Sequence, residues 1–330
     1  MRLLVSTLLL VISTTCLPVS ANDTERTPSA PERKQAEGDG PYKRLILRGG
    51  NLISGEGAPA IGPVDIVIEN DRITQVSVVG YPDVPVLDGG RPKAGPSDTE
   101  MDVSGMYILP GFVDMHGHIG GSANGIPAEH VKASAENRIV APRIVPYVGF
   151  GQGLAQAVFN PEQARKWVRD IKKAGAAGIK FFGATPGIIA AALDEANKQQ
   201  LGTMMHHAQL NVARTNVLDS ARMGLGSMEH WYGLPEALFS GQTIQNYPAD
   251  YNYQNEQDRF SAAGELWRQA AKPGSDKWNA VRDELIALDF TINPTLTIYE
   301  ASRDAAAQRN AEWHQDYTLP TLTKFFTPSR

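Results

Sequence analysis

The 330-residue sequence predicts an α/β protein whose main part is a parallel sheet of βα units, which we interpret as a barrel, preceded by a small β-rich unit. Two observations carry this prediction. Short apolar runs separated by Gly, Asp and Asn occupy the chain up to residue 108. Beyond Pro110, strand-like pieces alternate with helical stretches.

The first residues have the pattern of an export signal. Arg2 precedes an apolar run, and the segment 1–21 ends on three small residues, Val-Ser-Ala. The apolar run is well short of the ~20 residues that a membrane-spanning helix needs, so we expect cleavage after Ala21 rather than an anchor. A lipoprotein anchor at Cys16 is the alternative, although Ser13 lies where that signal requires an aliphatic residue.

Cys16 is the only cysteine, so the exported protein, periplasmic or secreted, would contain no disulfide and no thiolate metal site. Any metal must then be held by nitrogen and oxygen, and no stable membrane anchor would remain. The composition, 42% hydrophobic and 20% charged, is that of a globular protein. The net charge of −5, without a basic stretch interleaved with aromatics, gives no indication of nucleic-acid binding.

Four segments follow from these patterns. Residues 22–41 are polar and read as a flexible leader after the signal 1–21. Residues 42–108 hold the runs KRLILRGGNLI, VDIVIEN, ITQVSVVG and MYILP, which predict short antiparallel strands. Residues 109–330 form the predicted barrel.

Within the predicted barrel, helices are expected around Glu162 to Ala174, Ile188 to Lys198 and Val212 to Met223. The strand-like pieces AGIKFFGA, TMMHHA and GSMEHW alternate with them. A helical excursion over Ser240 to Asp289 precedes the strand-like FTINPTLTIY.

His116 and His118, in GFVDMHGHIGG, form the first candidate metal pair. Residues two apart in a strand project from the same face, so both imidazoles can bind one cation. On spacing alone an ordinary strand end explains the pair equally well. The apolar strand predicted before them, and the glycines after them, favour the metal site.

His207 and His230 also end short apolar strands. Because the carboxyl ends of parallel strands meet at one rim of a barrel, these side chains can converge with the first pair. Alternation sends His206 and His207 to opposite faces. We choose His207 for the barrel interior, since Thr203 and Met205 would share its face, and assign His206 to helix packing or the rim.

Lys180 ends the strand-like segment AGIK. A lysine pointing into a barrel is costly to bury as an ammonium unless it is paired or chemically changed. Carbamylated by carbon dioxide, it becomes an oxygen ligand able to bridge two cations; the alternative is a lysine that reaches solvent. Imidazoles with such a bridge suit one or two Zn²⁺ or similar divalent ions, and thus amide or ester hydrolysis.

Candidate substrate-binding residues follow the predicted strands. They are Arg143, Tyr147, Trp231 and Tyr232. Each has an equally good explanation as a packing residue, so the identity of a small substrate stays open.

The motifs YILPGFVDMHGHIGG, GIKFFG, MMHHA and SMEH resemble, in this order, the metal-site motifs of the amidohydrolase superfamily, above all its imidazolonepropionase-like and prolidase-like members. The resemblance covers roughly residues 42 to 300. It implies a (β/α)8 barrel preceded by part of a β-sandwich. It also implies that His116 and His118 hold the more buried metal, that carbamylated Lys180 bridges, and that His207 and His230 hold the second.

Two departures from that family's pattern stand out. The metal-binding and proton-accepting Asp that ends the eighth strand in the family has no counterpart here, and no segment of the kind G-x-T-T-x-R-D follows the His-x-His loop. We therefore expect an incomplete barrel that lacks its second and eighth βα units. Exposed strand edges would make such a chain unstable or reliant on a partner, a homo-oligomer included.

Three functions are compared on this basis. The first is a metal-dependent hydrolase of amide or peptide-like C–N bonds in a small substrate such as a dipeptide or an N-acyl amino acid. The second is a truncated, catalytically incompetent homologue that binds metal or ligand without turnover. The third, an exported structural β-protein, would require four strand-end histidines to coincide by chance.

Overall fold

The computed structural model describes residues 40–81, 84, 89–117, 128–154, 157–242, 244–304, 307–308 and 310–314, together with Glu32 and Lys34. The predicted signal 1–21, most of the predicted leader and the candidate ligand His118 lie outside the described residues. In the part that is described, no helix is both long enough and apolar enough to cross a membrane.

The first sheet has five strands. They are β1 (Arg44–Leu52), β2 (Ile61–Glu69), β3 (Arg72–Val78), β4 (Thr99–Asp102) and β5 (Tyr107–Ile108). Strand β1 pairs antiparallel with β2, which pairs antiparallel with β3. The expectation of antiparallel strands alone is wrong, because β4 and β5 both pair with β1 in parallel. A parallel partner needs a long connection, which the chain between β3 and β4 supplies.

A buried carboxylate ties this sheet together. Asp65 on β2 is 0% exposed and accepts hydrogen bonds from Arg48 and the Gly49 backbone on β1, at 2.8 and 3.0 Å. Arg91, in the connection before β4, adds two more at 2.9 Å each. Burial raises the pKa of Asp65, but the hydrogen bonds from Arg91 and Arg48 outweigh it and hold that pKa below its usual range.

The second sheet consists of β6 (Tyr147–Gly149), β7 (Gly178–Phe181), β8 (Gly202–His206), β9 (Ser227–Glu229) and β10 (Thr291–Asn293), paired in that order and all parallel. The helices are α1 (Ala128–Ala135), α2 (Pro161–Lys173), α3 (Pro186–Lys198), α4 (Val217–Arg222), α5 (Leu234–Ala237), α6 (Glu256–Glu265), α7 (Asp276–Ala287) and α8 (Leu296–Arg303), with a 3₁₀ turn at Leu266–Arg268. The expected α/β protein with a parallel sheet is thus confirmed.

Helix boundaries follow capping side chains. Asn160 accepts a hydrogen bond from the Gln163 backbone at the start of α2. Helix α4 begins at Val217, later than predicted, because Asn216 caps the Leu218 and Asp219 backbone amides. The residues before Asn216, expected to be helical, form turns instead.

The second sheet has one apolar and one polar face. Ile179, Phe181, Met205 and Met228 point to one side, where α2, α3 and α4 cover them, and all are at most 1% exposed. Alternation places Lys180 and its register partner Met204 on the other side of the sheet. His206, two residues after Met204 on the same strand, lies on this side as well. Its register partner Glu229, and Asn293 beside Glu229 on β10, share the same face. The candidate site is built on this polar face.

The strand expected before His116 is absent. Residues 111–117 form no strand, and Phe112 is 95% exposed. Among the described residues the second sheet is open, with β6 and β10 at its edges, so the segment has no strand partner there to impose extended pairing.

Replacing Asp65 by Asn should lower the free energy of unfolding at pH 7 by roughly 2 to 4 kcal/mol, because two guanidinium groups lose their buried counter-charge. A carboxylate with a lowered pKa stabilises fully above its unfolded pKa of about 3.9 and loses this effect as the pH falls through the folded value. Urea unfolding should therefore show that the difference in the free energy of unfolding between wild type and Asp65→Asn becomes smaller below about pH 4.

The matched control is Asp71→Asn. The carboxylate of Asp71 is 77% exposed and lies 3.9 Å from Arg72. This exposed substitution should change stability by less than about 0.5 kcal/mol. Equal stability of the two variants at pH 7 would contradict the role assigned to Asp65.

Candidate metal centre

Polar side chains converge at the carboxyl ends of β7, β8 and β9. Lys180, His206 and Glu229 come from these three strands, and His230 directly follows β9. His116 joins them from the irregular segment that precedes α1. Carboxyl ends of parallel strands are where ligand sites of α/β proteins lie, so this edge is the candidate site.

The three histidine rings lie next to one another. Ring centroids are 5.3 Å apart between His116 and His230, and 4.9 Å between His206 and His230. His230 has a left-handed backbone with φ of 63°, and its backbone amide donates to the Asn293 carbonyl at 2.8 Å. This turn at the strand end brings the ring back over the sheet, where Nδ1 meets the Thr295 hydroxyl at 2.6 Å.

Glu229 was not singled out from the sequence, yet it lies at the centre of the cluster. Its side chain is 1% exposed, and Oε2 accepts a hydrogen bond from the Asn293 side-chain amide at 2.9 Å. His116 Nδ1 lies 2.5 Å from the same oxygen. The available signal was its position at the end of a short strand, one residue before His230, where a buried carboxylate requires partners.

Lys180 lies on the polar face of the second sheet, beside His116. It is 9% exposed, and its Nζ lies 3.3 Å from His116 Nε2. Burial lowers the pKa of Lys180 to about 8, although the negative charge of Glu229 opposes this shift. The side chain is buried on the polar face of the sheet and does not reach solvent.

The orientation chosen for the two adjacent histidines is reversed in the structure. His206 faces the cluster and also contacts the Tyr232 ring, with centroids 5.2 Å apart. His207 is 0% exposed on the opposite side, where Nε2 lies 2.8 Å from the Ser220 hydroxyl of α4. The physical reason is that Thr203 and Met205, which share the face of His207, point to the helices.

Both histidines are held neutral. Burial, with smaller effects of the nearby charges of Lys180, Arg259 and His116, lowers the pKa of His206 to about 4. Burial, with a smaller effect of His206, lowers the pKa of His207 to about 3. A neutral imidazole keeps a lone pair for a metal, so His206 has the protonation state of a ligand at pH 7.

The donor set fits a divalent first-row cation in kind, since it offers imidazole nitrogens and a carboxylate without sulfur. No group of three or more His, Cys, Asp or Glu side chains among the described residues has the geometry to hold a metal ion as the structure stands. His118, the second residue of the predicted first pair, lies outside those residues.

The predicted substrate-binding residues divide into two groups. Tyr232 is 2% exposed and contacts His230, with ring centroids 5.7 Å apart. Trp231 packs against Trp267 instead, and Arg143 is exposed. The Tyr147 side chain lies across the polar face and directly over Gly202. Its hydroxyl lies 2.0 Å from the position that a Cβ at residue 202 would occupy, so a Cβ there would require the Tyr147 ring to shift.

Aromatic side chains border the cluster beyond Tyr232. The Tyr299 ring of α8 lies 6.4 Å from His230, and Phe260 of α6 lies 5.4 Å from Tyr299. Burial raises the pKa of Tyr299 well above its usual range. Tyr299 of α8, backed by Phe260 of the helical excursion between β9 and β10, therefore supplies an aromatic wall beside His230.

Comparison with known proteins gives a limited set of relatives. No protein-family model matches the chain. A curated N-acyl-D-glutamate deacylase from Alcaligenes xylosoxydans xylosoxydans is 32% identical over 74 residues, which are 22% of this chain and 12% of that protein. This chain thus matches only a small part of that relative's length.

Solved structures cover more of the chain. The crystal structure of an uncharacterized protein has a TM-score of 0.50 at 19% identity, over 85% of this chain and 73% of that one. A Xaa-Pro dipeptidase with bound methionine has a TM-score of 0.47 at 16% identity, over 85% and 72%. The first of these likenesses shows a shared fold.

Proposed function

We propose that this chain is a metal-dependent hydrolase that cleaves an amide or peptide-like C–N bond in a small substrate, such as a dipeptide or an N-acyl amino acid. The observation that carries the proposal is the convergence of His116, His206 and His230 around Lys180 at the carboxyl edge of a parallel sheet. The deacylase likeness over 74 residues supports an N-acyl amino acid. The motif resemblance supports a dipeptide.

The proposed metal ligands differ from the sequence prediction at one position, where His206 replaces His207. His116 and His118 would hold one ion, His206 and His230 a second, and carbamylated Lys180 would bridge them. One or two Zn²⁺ or similar ions would polarise the scissile carbonyl and supply a hydroxide nucleophile at neutral pH.

The chain's own residues shape the rest of the reaction. The buried ring of Tyr232 and the partly buried ring of Tyr299 flank His230, where they would help to keep bulk water from the reacting bond. Lys180, buried beside His116, places either an ammonium or a carbamate at the centre of the cluster.

The finer architecture belongs to the same proposal. The sequential order β6 to β10, with a helix or helices in each connection, supports part of a (β/α)8-type barrel, whose incompleteness stays a prediction. The first sheet would be part of a β-sandwich over residues 42–108. Export to the periplasm or medium, and a homo-oligomer that covers strand edges, stay predictions.

Zn²⁺ binding distinguishes the two adjacent histidines. His206→Ala should weaken Zn²⁺ binding at least about 100-fold, because it removes a ligand. His207→Asn should lower stability yet keep Zn²⁺ affinity within about threefold, because His207 faces α4. Isothermal titration of folded, metal-stripped protein with Zn²⁺ measures both affinities. A larger loss of Zn²⁺ affinity in His207→Asn than in His206→Ala would overturn the assignment.

Hydrolysis tests the activity itself. We expect Zn²⁺-loaded protein to release free amino acid from N-acyl amino acids or Xaa-Pro dipeptides, with loss of turnover after chelation and in His116→Ala. The rate should lie two to four orders of magnitude below that of an ordinary enzyme if no residue replaces the missing acid–base Asp.

The competing function predicts a different pattern. A catalytically incompetent homologue would bind Zn²⁺ through the same histidines and release no product from either substrate class. That result, obtained with protein shown to hold at least one Zn²⁺ per chain, would favour the second function over the first.

A further inference from the structure

We propose that Glu229 is a positioning residue that fixes the tautomer and orientation of the His116 ring. Resting on the proposed function, this inference adds a carboxylate–histidine pair behind the metal ligands. Glu229 would hold the proton of His116 on Nδ1, which leaves the Nε2 lone pair directed to the centre of the cluster. Neither motif spacing nor the predicted ligand set included this residue.

A contact other than the one to His116 holds the Glu229 carboxylate in place. Glu229 is the last residue of β9, which lies between β8 and β10 in the sheet. Asn293, its register partner on β10, donates from its side-chain amide to Oε2 at 2.9 Å. A side chain that is 1% exposed and bonded across two strands has little freedom to follow the histidine, so the histidine must follow it.

Contacts on both sides of the ring select the same tautomer. A carboxylate can only accept, so His116 Nδ1, 2.5 Å from Glu229 Oε2, must donate. On the other side, Lys180 Nζ lies 3.3 Å from His116 Nε2, and in its uncarbamylated ammonium form it can only donate. Nδ1 therefore carries the proton and Nε2 the lone pair, which is the state a metal ligand needs.

His116 depends on this contact more than a histidine in a strand would. Residues 111–117 form no strand, so the backbone around His116 receives no support from sheet pairing. The backbone amide of His116 donates to the Asp114 carboxylate at 2.9 Å, a contact that holds the backbone and does not involve the ring. Glu229 supplies the orientation that a strand would otherwise give.

The tautomer is measured on metal-free protein, so this readout does not require catalysis. In wild type labelled with ¹⁵N-histidine, long-range proton–nitrogen correlation at pH 8 should show His116 protonated on Nδ1, with the signal identified by its loss in His116→Gln. In Glu229→Ala the ring should shift towards the Nε2-protonated tautomer that is favoured in water. Glu229→Met keeps about the length of the side chain but has no oxygen acceptor, and it serves if the alanine variant does not fold.

Zn²⁺ affinity gives the second readout. Both Glu229 variants should bind Zn²⁺ about 10- to 100-fold more weakly than wild type, the range expected when the partner of a ligating histidine is removed. The matched control is Glu195→Gln, a carboxylate on α3 that is also buried and pairs with Arg169 at 3.2 Å, on the helix side of the sheet. This control should keep Zn²⁺ affinity within about twofold.

The outcomes separate the two proposals. Wild type protonated on Nε2, or Glu229 variants that fold and keep both tautomer and Zn²⁺ affinity, would overturn the positioning role while leaving the hydrolase proposal intact. Wild type that binds no Zn²⁺ but shows the Nδ1 tautomer, lost in Glu229→Ala, would overturn the metal-dependent hydrolase and support the pairing of Glu229 with His116.

Discussion

The candidate site depends on the two-residue alternation of side chains along parallel strands. One face of the second sheet must be apolar, because α2, α3 and α4 cover it, and this requirement fixes which residues remain for the other face. Ile179 and Met205 are buried against the helices. Lys180 and His206, one residue later in each case, are therefore directed to the cluster. The chemistry of the site follows from the packing behind it.

Compensation of charge is the second constraint on this face. A lysine and a glutamate are both buried there, and the imidazole of His116 lies between them. Neither charge would be stable alone in such surroundings, and the negative charge of Glu229 opposes the effect of burial on the pKa of Lys180. Aromatic rings such as Tyr232 keep the surroundings apolar, which strengthens each electrostatic contact.

Much of the second sheet could be predicted from local pattern. The runs around Lys180, His206 and His230 are short, apolar and followed by turn residues, so both their strand character and the shared edge follow from the sequence. The face of His206 could not be predicted, because Thr203 resembles a residue of a polar face yet points to the helices. The role of Glu229 could not be predicted, because a single acidic residue in a strand has no characteristic spacing to a second ligand. The segment before His116 was expected to be a strand because its composition is apolar, but strand formation needs a partner elsewhere in the chain, which composition does not reveal.

The most direct test of the central claim is a crystal structure of the full chain grown with Zn²⁺, with the ion located by its anomalous scattering. The account predicts an anomalous peak about 2.0–2.1 Å from a ring nitrogen of His206 and of His230, with Glu229 within hydrogen-bonding distance of His116. A peak coordinated by His207, or Zn²⁺ bound away from the carboxyl edge of β7 to β9, would contradict it.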